Sequence, residues 1–341
     1  MVMFRHLNVL LSTSLCPRSR CSSGFVSRMR YMNKLKEDDD ACAAALQDAR
    51  VFLFHRLSPL LQRTEHGRLS PPALMSSDVL KMLERLGSSG SLLKESVLIS
   101  CSEQNQAQFC LDVGELDQEA VEEVCKGNVI DLKKGFFLLA SSEAPLVAKA
   151  QALLRWHESS GFCSASGRPT HRNRAGSQRV CSSNGVVYYP KMSPVVIVLV
   201  SDGNRCLLGR QSSFPRGMYS ALAGFCDTGE SLEDAVSREV AEEVGLEVHG
   251  VSYSSSQHWP FPDSSFMLGC HAFVSPAHAQ LDVDHRELED ARWFTYEEVG
   301  SALQVKTPPR RSDVLWLPPK HAVANWLITE WTERQRGPRS R

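Results

Sequence analysis

Between Gly224 and Leu246 the chain reads GFCDTGESLEDAVSREVAEEVGL, and its carboxylates fall in an order that suits one kind of chemistry. Glu239 and Glu243 are an i,i+4 pair, and Glu242 lies one i+3 step from Glu239. On a helix these three side chains can converge. Like charges gathered this way repel each other and disfavour the bare helix. A hard divalent cation reverses that sign, because Mg2+ prefers carboxylate and water oxygens together with the phosphate oxygens of a substrate. The bland alternative is an acidic helix face turned to solvent.

The elements that must position these groups are legible nearby. Ser231 followed by Asp234 is a capping-box pattern and predicts a helix start. Leu232, Val236, Val240 and Val244 recur every four residues as one apolar stripe, leaving the carboxylates on other faces. Gly245 stands where a left-handed C-terminal cap is wanted.

Written as a pattern, the segment is G-x5-E-x7-R-E-V-x-E-E-x-G-L. It is identified as a Nudix box, the signature of hydrolases acting on a diphosphate linked to a nucleoside. Nine positions are fixed without a gap, including Gly224, Glu230, Arg238 and Gly245, and this weighs against the solvated-face alternative. Further on, Ser256 to Ser264 reads SQHWPFPDS, read here as a stiff loop with two aromatics between prolines. Alone it would serve equally as a core-packing loop. Beside the box it resembles the SQPWPFPxS array of the NADH pyrophosphatase branch, departing from it at His258. Tyr188-Tyr189-Pro190 and Pro194 resemble the entry to that branch's catalytic domain. Arg286-Glu287-Leu288 resembles its segment for a remote metal carboxylate.

The resemblance implies a Nudix α/β/α sandwich with a mixed sheet. It implies Mg2+ or Mn2+ held by Glu239, Glu243, Glu287 and the carbonyl of Ala223. Glu242 is the candidate base, a role that Glu243 could share. Arg238 is expected to position Glu230 or a neighbouring carboxylate. Tyr189 and Phe225 are candidates for stacking a base, Gln257, Trp259, Phe261 and Ser264 for framing the pocket, and Ala324 for its rim. The implied reaction is hydrolysis of NADH, NADPH and NAD+ to mononucleotides. Alternatives are hydrolysis of ADP-ribose, a dinucleoside polyphosphate or an NAD-capped RNA end, and a nucleotide-binding module without activity. The intact Glu239, Glu242 and Glu243 argue against the last.

Away from the motif, composition bounds the rest. A net charge of −1 offers no global field for duplex nucleic acid or an acidic membrane, and no apolar run approaches a membrane span. Monomer and homodimer are both left open. Eleven cysteines at irregular spacing predict mostly free thiols in a reducing compartment. Residues 1–36 hold seven Lys or Arg, many serines and no acidic residue. That is the composition of a mitochondrial transit peptide. A secretory signal would need a better core than Leu7 to Leu15, and a disordered basic arm is the remaining option. The chain ends in GPRSR, which is no SKL-type peroxisomal address.

Residues 38–157 are expected to form a smaller α+β domain, with strands at 51–54, 97–100 and 136–140 and helices at 77–86 and 144–157. Residues 158–190 carry Cys163 and Cys181, each followed three positions on by Ser166 and Asn184 where a zinc ribbon needs cysteine. This is either a ribbon that lost its metal or a loop with two unrelated cysteines, and structural zinc is not expected. Residues 191–335 are expected to form the Nudix domain. Its strands are read at 195–200, 205–210, 266–273 and 291–294, and its later helices at 296–303 and 321–331.

Overall fold

A computed structural model describes residues 24–305 and 314–336. Three units follow one another along the chain.

The first is an α+β domain. Strand Arg50–His55 pairs in parallel with Ala107–Asp112 and antiparallel with Ser58–Arg63, while Val97–Cys101 closes the other edge. Alternate residues of a strand face opposite sides, and both sides here are apolar. Val51, Leu53, Phe109 and Leu111 meet Val79, Met82 and Leu83 of helix Ser76–Arg85. Phe52, Phe54, Ile99 and Cys110 meet Val147, Ala148 and Leu154 of helix Ala144–Ser159.

Two expectations change here. The run at 136–140 is not a strand: Phe136–Leu138 form a 3-10 turn that continues a short helix, Leu132–Gly135. Asp131 caps the backbone N–H of Lys134 and starts that turn, and a five-residue apolar run carries no period to separate strand from turn. The segment expected as a leader lies outside the described residues up to position 23. From Gly24 to Glu37 it is a helix that buries Met32 and Leu35 in the first domain's core, so the expected end at residue 36 falls inside the fold.

The second unit is a three-stranded antiparallel sheet of Thr170–Arg172, Arg179–Cys181 and Val187–Tyr188. A bare loop is therefore the wrong description of this stretch.

The third is an α/β/α sandwich. Strand Ser193–Ser201 lies at its centre, parallel to Ser265–Phe273 and antiparallel to Arg205–Arg210 and Leu222–Phe225. Asp290–Thr295 and His249–Trp259 form the edges. Val196, Val198 and Val200 face Val236, Val240 and Val244 of helix Leu232–Val244, so those three residues of the stripe read in the sequence are buried and Leu232 is partly so. Ile197 and Leu199 face Val323, Leu327 and Trp331 of helix Val323–Gln335 on the other side. Strand His249–Trp259 escapes a pattern search because its sequence, HGVSYSSSQHW, is polar and nowhere fully buried. The stiff loop expected over 256–264 is therefore half strand, and only Pro260 to Ser264 turn.

Candidate active site

Helix Leu232–Val244 is set at both ends by local chemistry. The Ser231 hydroxyl accepts from the Asp234 N–H, the Asp234 carboxylate accepts from the Ser231 N–H, and Gly245 closes the helix at φ 68°. The preceding strand Leu222–Phe225 brings Gly224 against the helix. A Cβ on Gly224 would stand 1.8 Å from Cδ of Glu239, so only glycine leaves room for that carboxyl group.

Arg238 organises the acidic side. Its Nε lies 2.6 Å from Glu230, and its Nη1 donates to Glu239 at 2.9 Å and to Glu242 at 2.8 Å. Its Nη2 donates to the Phe225 carbonyl at 2.8 Å. Glu230 also accepts from the Asp227 N–H. The Arg238 bonds, with that N–H, hold its carboxyl down at about 2. Arg238 thus braces the loop 226–231 onto the helix by charge-assisted bonds.

Glu243 has no such partner. It is 2 % exposed, and its Oε2 is buried without a hydrogen bond. Burial first, then the charges of Glu239, Glu287 and Glu242, pushes its pKa up to about 8. Glu239 is raised chiefly by burial, offset in part by Arg238. Glu287 reaches this group from the segment after Asp284, whose N–H is tied to the Glu243 carbonyl at 2.9 Å. A buried carboxylate with like charges around it and no counter-charge is costly to ionise. The orphaned oxygen and the like charges of Glu239 and Glu287 are the chemistry a hard divalent cation would neutralise, although among the described residues no three acidic, His or Cys side chains are gathered closely enough to hold one as they stand.

Glu243 also lines a cavity of about 530 Å3. Of the residues singled out in the sequence, Ala223, Gln257, Trp259, Phe261 and Ala324 line it as well. Tyr189, Phe225 and Ser264 do not. Tyr189 and Phe225 are exposed, and the Ser264 hydroxyl bonds His258 Nε2 at 3.0 Å. Glu242 likewise stays outside the cavity, its side chain exposed and engaged by Arg238. The Gln257 amide is spent on backbone: it donates to the His321 carbonyl at 2.6 Å and accepts from the Val323 N–H at 2.8 Å. It braces the wall to helix Val323–Gln335.

Other wall residues gave no signal in the sequence. Phe214 and Met218 reach the cavity from loops, and Lys133 comes from the first domain. Only tertiary packing brings them here.

In the small sheet, the four corner positions of the ribbon do converge. Cys163 Sγ lies 3.0 Å from the Tyr188 hydroxyl and accepts from Asn184 Nδ2 at 3.8 Å. Cys181 Sγ lies 3.4 Å from the Ser166 hydroxyl and 3.3 Å from that of Ser183. Hydrogen bonds from Ser166 and then Tyr188 draw the Cys163 thiol down to about 6. The two cysteines are parts of one cluster, not unrelated.

Three family models match in series: an NADH pyrophosphatase-like rudimentary NUDIX domain at 48–156, an NADH pyrophosphatase zinc ribbon domain at 158–189, and a NUDIX domain at 191–317. The chain is 50% identical over 329 residues to a Homo sapiens protein named NAD(P)H pyrophosphatase NUDT13, mitochondrial, covering 93% of each. The Mus musculus protein of that name is 49% identical over 327 residues, covering 92% of this chain and 93% of its own. The Homo sapiens NAD-capped RNA hydrolase NUDT12 is 44% identical over 203 residues, 57% of this chain and 42% of that protein. The ribbon of this chain does not fit the metal its family model implies, since a structural zinc tetrahedron needs four ligands and only two thiols are present. The catalytic helix keeps every motif residue. With half its residues shared over nearly the full length of such relatives, the chain belongs to the Nudix hydrolases, in the NADH pyrophosphatase branch.

Proposed function

We propose that this enzyme hydrolyses the diphosphate of NADH and NADPH, giving nicotinamide mononucleotide and AMP or 2′,5′-ADP. The observation that carries this is the junction at Glu243: one buried carboxylate belongs both to the acidic cluster and to a cavity walled by Trp259 and Phe261. A cavity of that size takes one mononucleotide half and leaves the diphosphate at its acidic mouth. The names of the relatives aligned over 93% and 92% of the chain support the same substrates.

Glu239, Glu287 and the Ala223 carbonyl, with one oxygen of Glu243, would hold Mg2+ or Mn2+, leaving the second Glu243 oxygen to act on a proton. When bound, the cation neutralises the diphosphate and acidifies a water molecule. Arg238 keeps Glu239 and Glu242 fixed, so the carboxylates are preorganised. Glu243 takes the proton of the attacking water, because it faces the cavity while Glu242 is turned to solvent and paired. Trp259 and Phe261 hold the ring end of the substrate.

The test is release of mononucleotides by the full chain from NADH, NADPH, NAD+, ADP-ribose and NAD-capped RNA, with Mg2+ or Mn2+. Faster turnover of ADP-ribose or capped RNA than of either reduced dinucleotide would overturn the assignment.

We also infer a mitochondrial location, from the basic, serine-rich first residues and the names of those relatives. Among the described residues no helix is long and apolar enough to cross a membrane. Tagged chain absent from purified mitochondria would refute the location.

A further inference from the structure

The cavity beside Glu243 is not built by the Nudix domain alone. The turn of the first domain formed by Leu132–Gly135 and Phe136–Leu138 reaches its wall. Phe136 anchors that turn. Its ring meets Trp259 edge-on at 5.0 Å, Phe261 at 5.7 Å and His321 at 5.2 Å. A second clamp comes from helix Ala144–Ser159, where Arg155 donates to the Pro262 carbonyl at 2.6 Å and to Asp263 at 3.2 Å. The first domain thereby grips the segment 259–263 from two places.

Lys133 lies one helical step before Phe136 and lines the same cavity. Residues three apart on a helical turn share a face, so the anchoring of Phe136 also fixes where Lys133 stands. Among the described lining residues, Glu243 and Lys133 alone carry charge, and the rest are neutral and largely apolar. Lys133 forms no ion pair among the described residues. Lys133 is itself exposed, so its ammonium keeps its charge at the rim of this mostly apolar cavity and is free to meet an anionic group on the ligand.

The substrate class limits what that group is. Adenine and dihydronicotinamide bring no negative charge. The diphosphate belongs to the acidic mouth, where the divalent cation would neutralise it. The remaining anion in this class of dinucleotides is the 2′-phosphate of the adenosine ribose. Resting on the activity proposed above, we propose that Lys133, supplied by the rudimentary N-terminal domain, binds this 2′-phosphate and sets the preference between NADPH and NADH.

The test is the ratio of kcat/KM for NADPH to that for NADH in the full chain and in Lys133→Met and Lys133→Arg. A charge-assisted bond to a phosphate is strong enough for about a ten-fold fall of that ratio in Lys133→Met, with the ratio largely kept in Lys133→Arg. Calorimetric binding of 2′,5′-ADP and of AMP gives a second readout that needs no turnover. The intact chain should bind 2′,5′-ADP about ten-fold more tightly, and Lys133→Met should level the two. An unchanged ratio overturns the assignment. So does an equal fall for both dinucleotides, which would put Lys133 on the shared diphosphate. A chain that turns over neither dinucleotide but keeps a Lys133-dependent preference for 2′,5′-ADP would refute the proposed activity and sustain the role of Lys133.

Discussion

The carboxyl group of Glu239 rests over the α-carbon of Gly224, with its Cδ 1.8 Å from where a β-carbon would be. The motif's first glycine and its first helical glutamate are therefore one steric unit, although fourteen positions separate them. Gly224→Ala must push Glu239 out of place. Affinity for Mn2+, measured by titration, should fall at least about ten-fold, with a stability loss of about 1–3 kcal/mol as in other overpacked sites. Unaltered Mn2+ binding would show that Glu239 is not a ligand.

Glu243→Gln keeps the shape of the side chain and removes the proton acceptor at the cavity. A fall in kcat of about 10^2–10^4 is expected, in the range seen when a general base is lost. Glu242→Gln should lose less, because its partner Arg238 retains Glu230 and Glu239. If Glu242→Gln proves the more damaging at saturating metal, the base assignment belongs to Glu242.

The acidic cluster makes stability depend on pH in a stated direction. The folded pKa of Glu243 lies near 8, above its ordinary 4.5. A carboxyl raised on folding stabilises the fold while protonated, and that contribution is lost as pH rises from about 4.5 through about 8. With chelator present, the contribution of Glu243 should lower Tm across that window. The slope should flatten in Glu243→Gln, and Mg2+ should restore Tm most at the alkaline end. A chelated Glu243→Gln chain with the same pH slope as the native one would contradict this.

Trp259 is both a cavity wall and a packed residue, since its ring meets Phe136 and Phe261. Trp259→Ala should raise KM for NADH about ten-fold, on the scale of about 1–3 kcal/mol per stacked base, and should also lower Tm. Trp259→Phe should keep most of the stability and lose part of the affinity. Were KM for NADH unmoved in the folded Ala variant, the wall would have no part in recognition.

The ribbon should carry no stoichiometric zinc in washed protein, as measured by elemental analysis. Because Ser166 and Asn184 already touch the two thiols, the pair Ser166→Cys with Asn184→Cys should gain one zinc per chain and a higher Tm. Stoichiometric zinc in the unaltered chain would show that other residues complete the site.

What the sequence alone determined is local and periodic. The four-residue apolar stripe, the Ser231–Asp234 box and the Gly245 cap specify the catalytic helix, because each acts within a few residues of itself. The same holds for the two strands read at 195–200 and 205–210, which pair antiparallel. The tertiary structure decided matters that depend on which surfaces meet. It separated Glu243, buried at the cavity, from Glu242 beside it in solvent, since neighbours on a helix point in different directions. It left Tyr189 and Phe225 off the cavity and spent the Gln257 amide on a helix start. It drew the polar strand 249–259, whose register comes from its partner rather than from its own pattern. Lys133 entered the wall through contacts more than a hundred residues away, a distance over which no local pattern carries information.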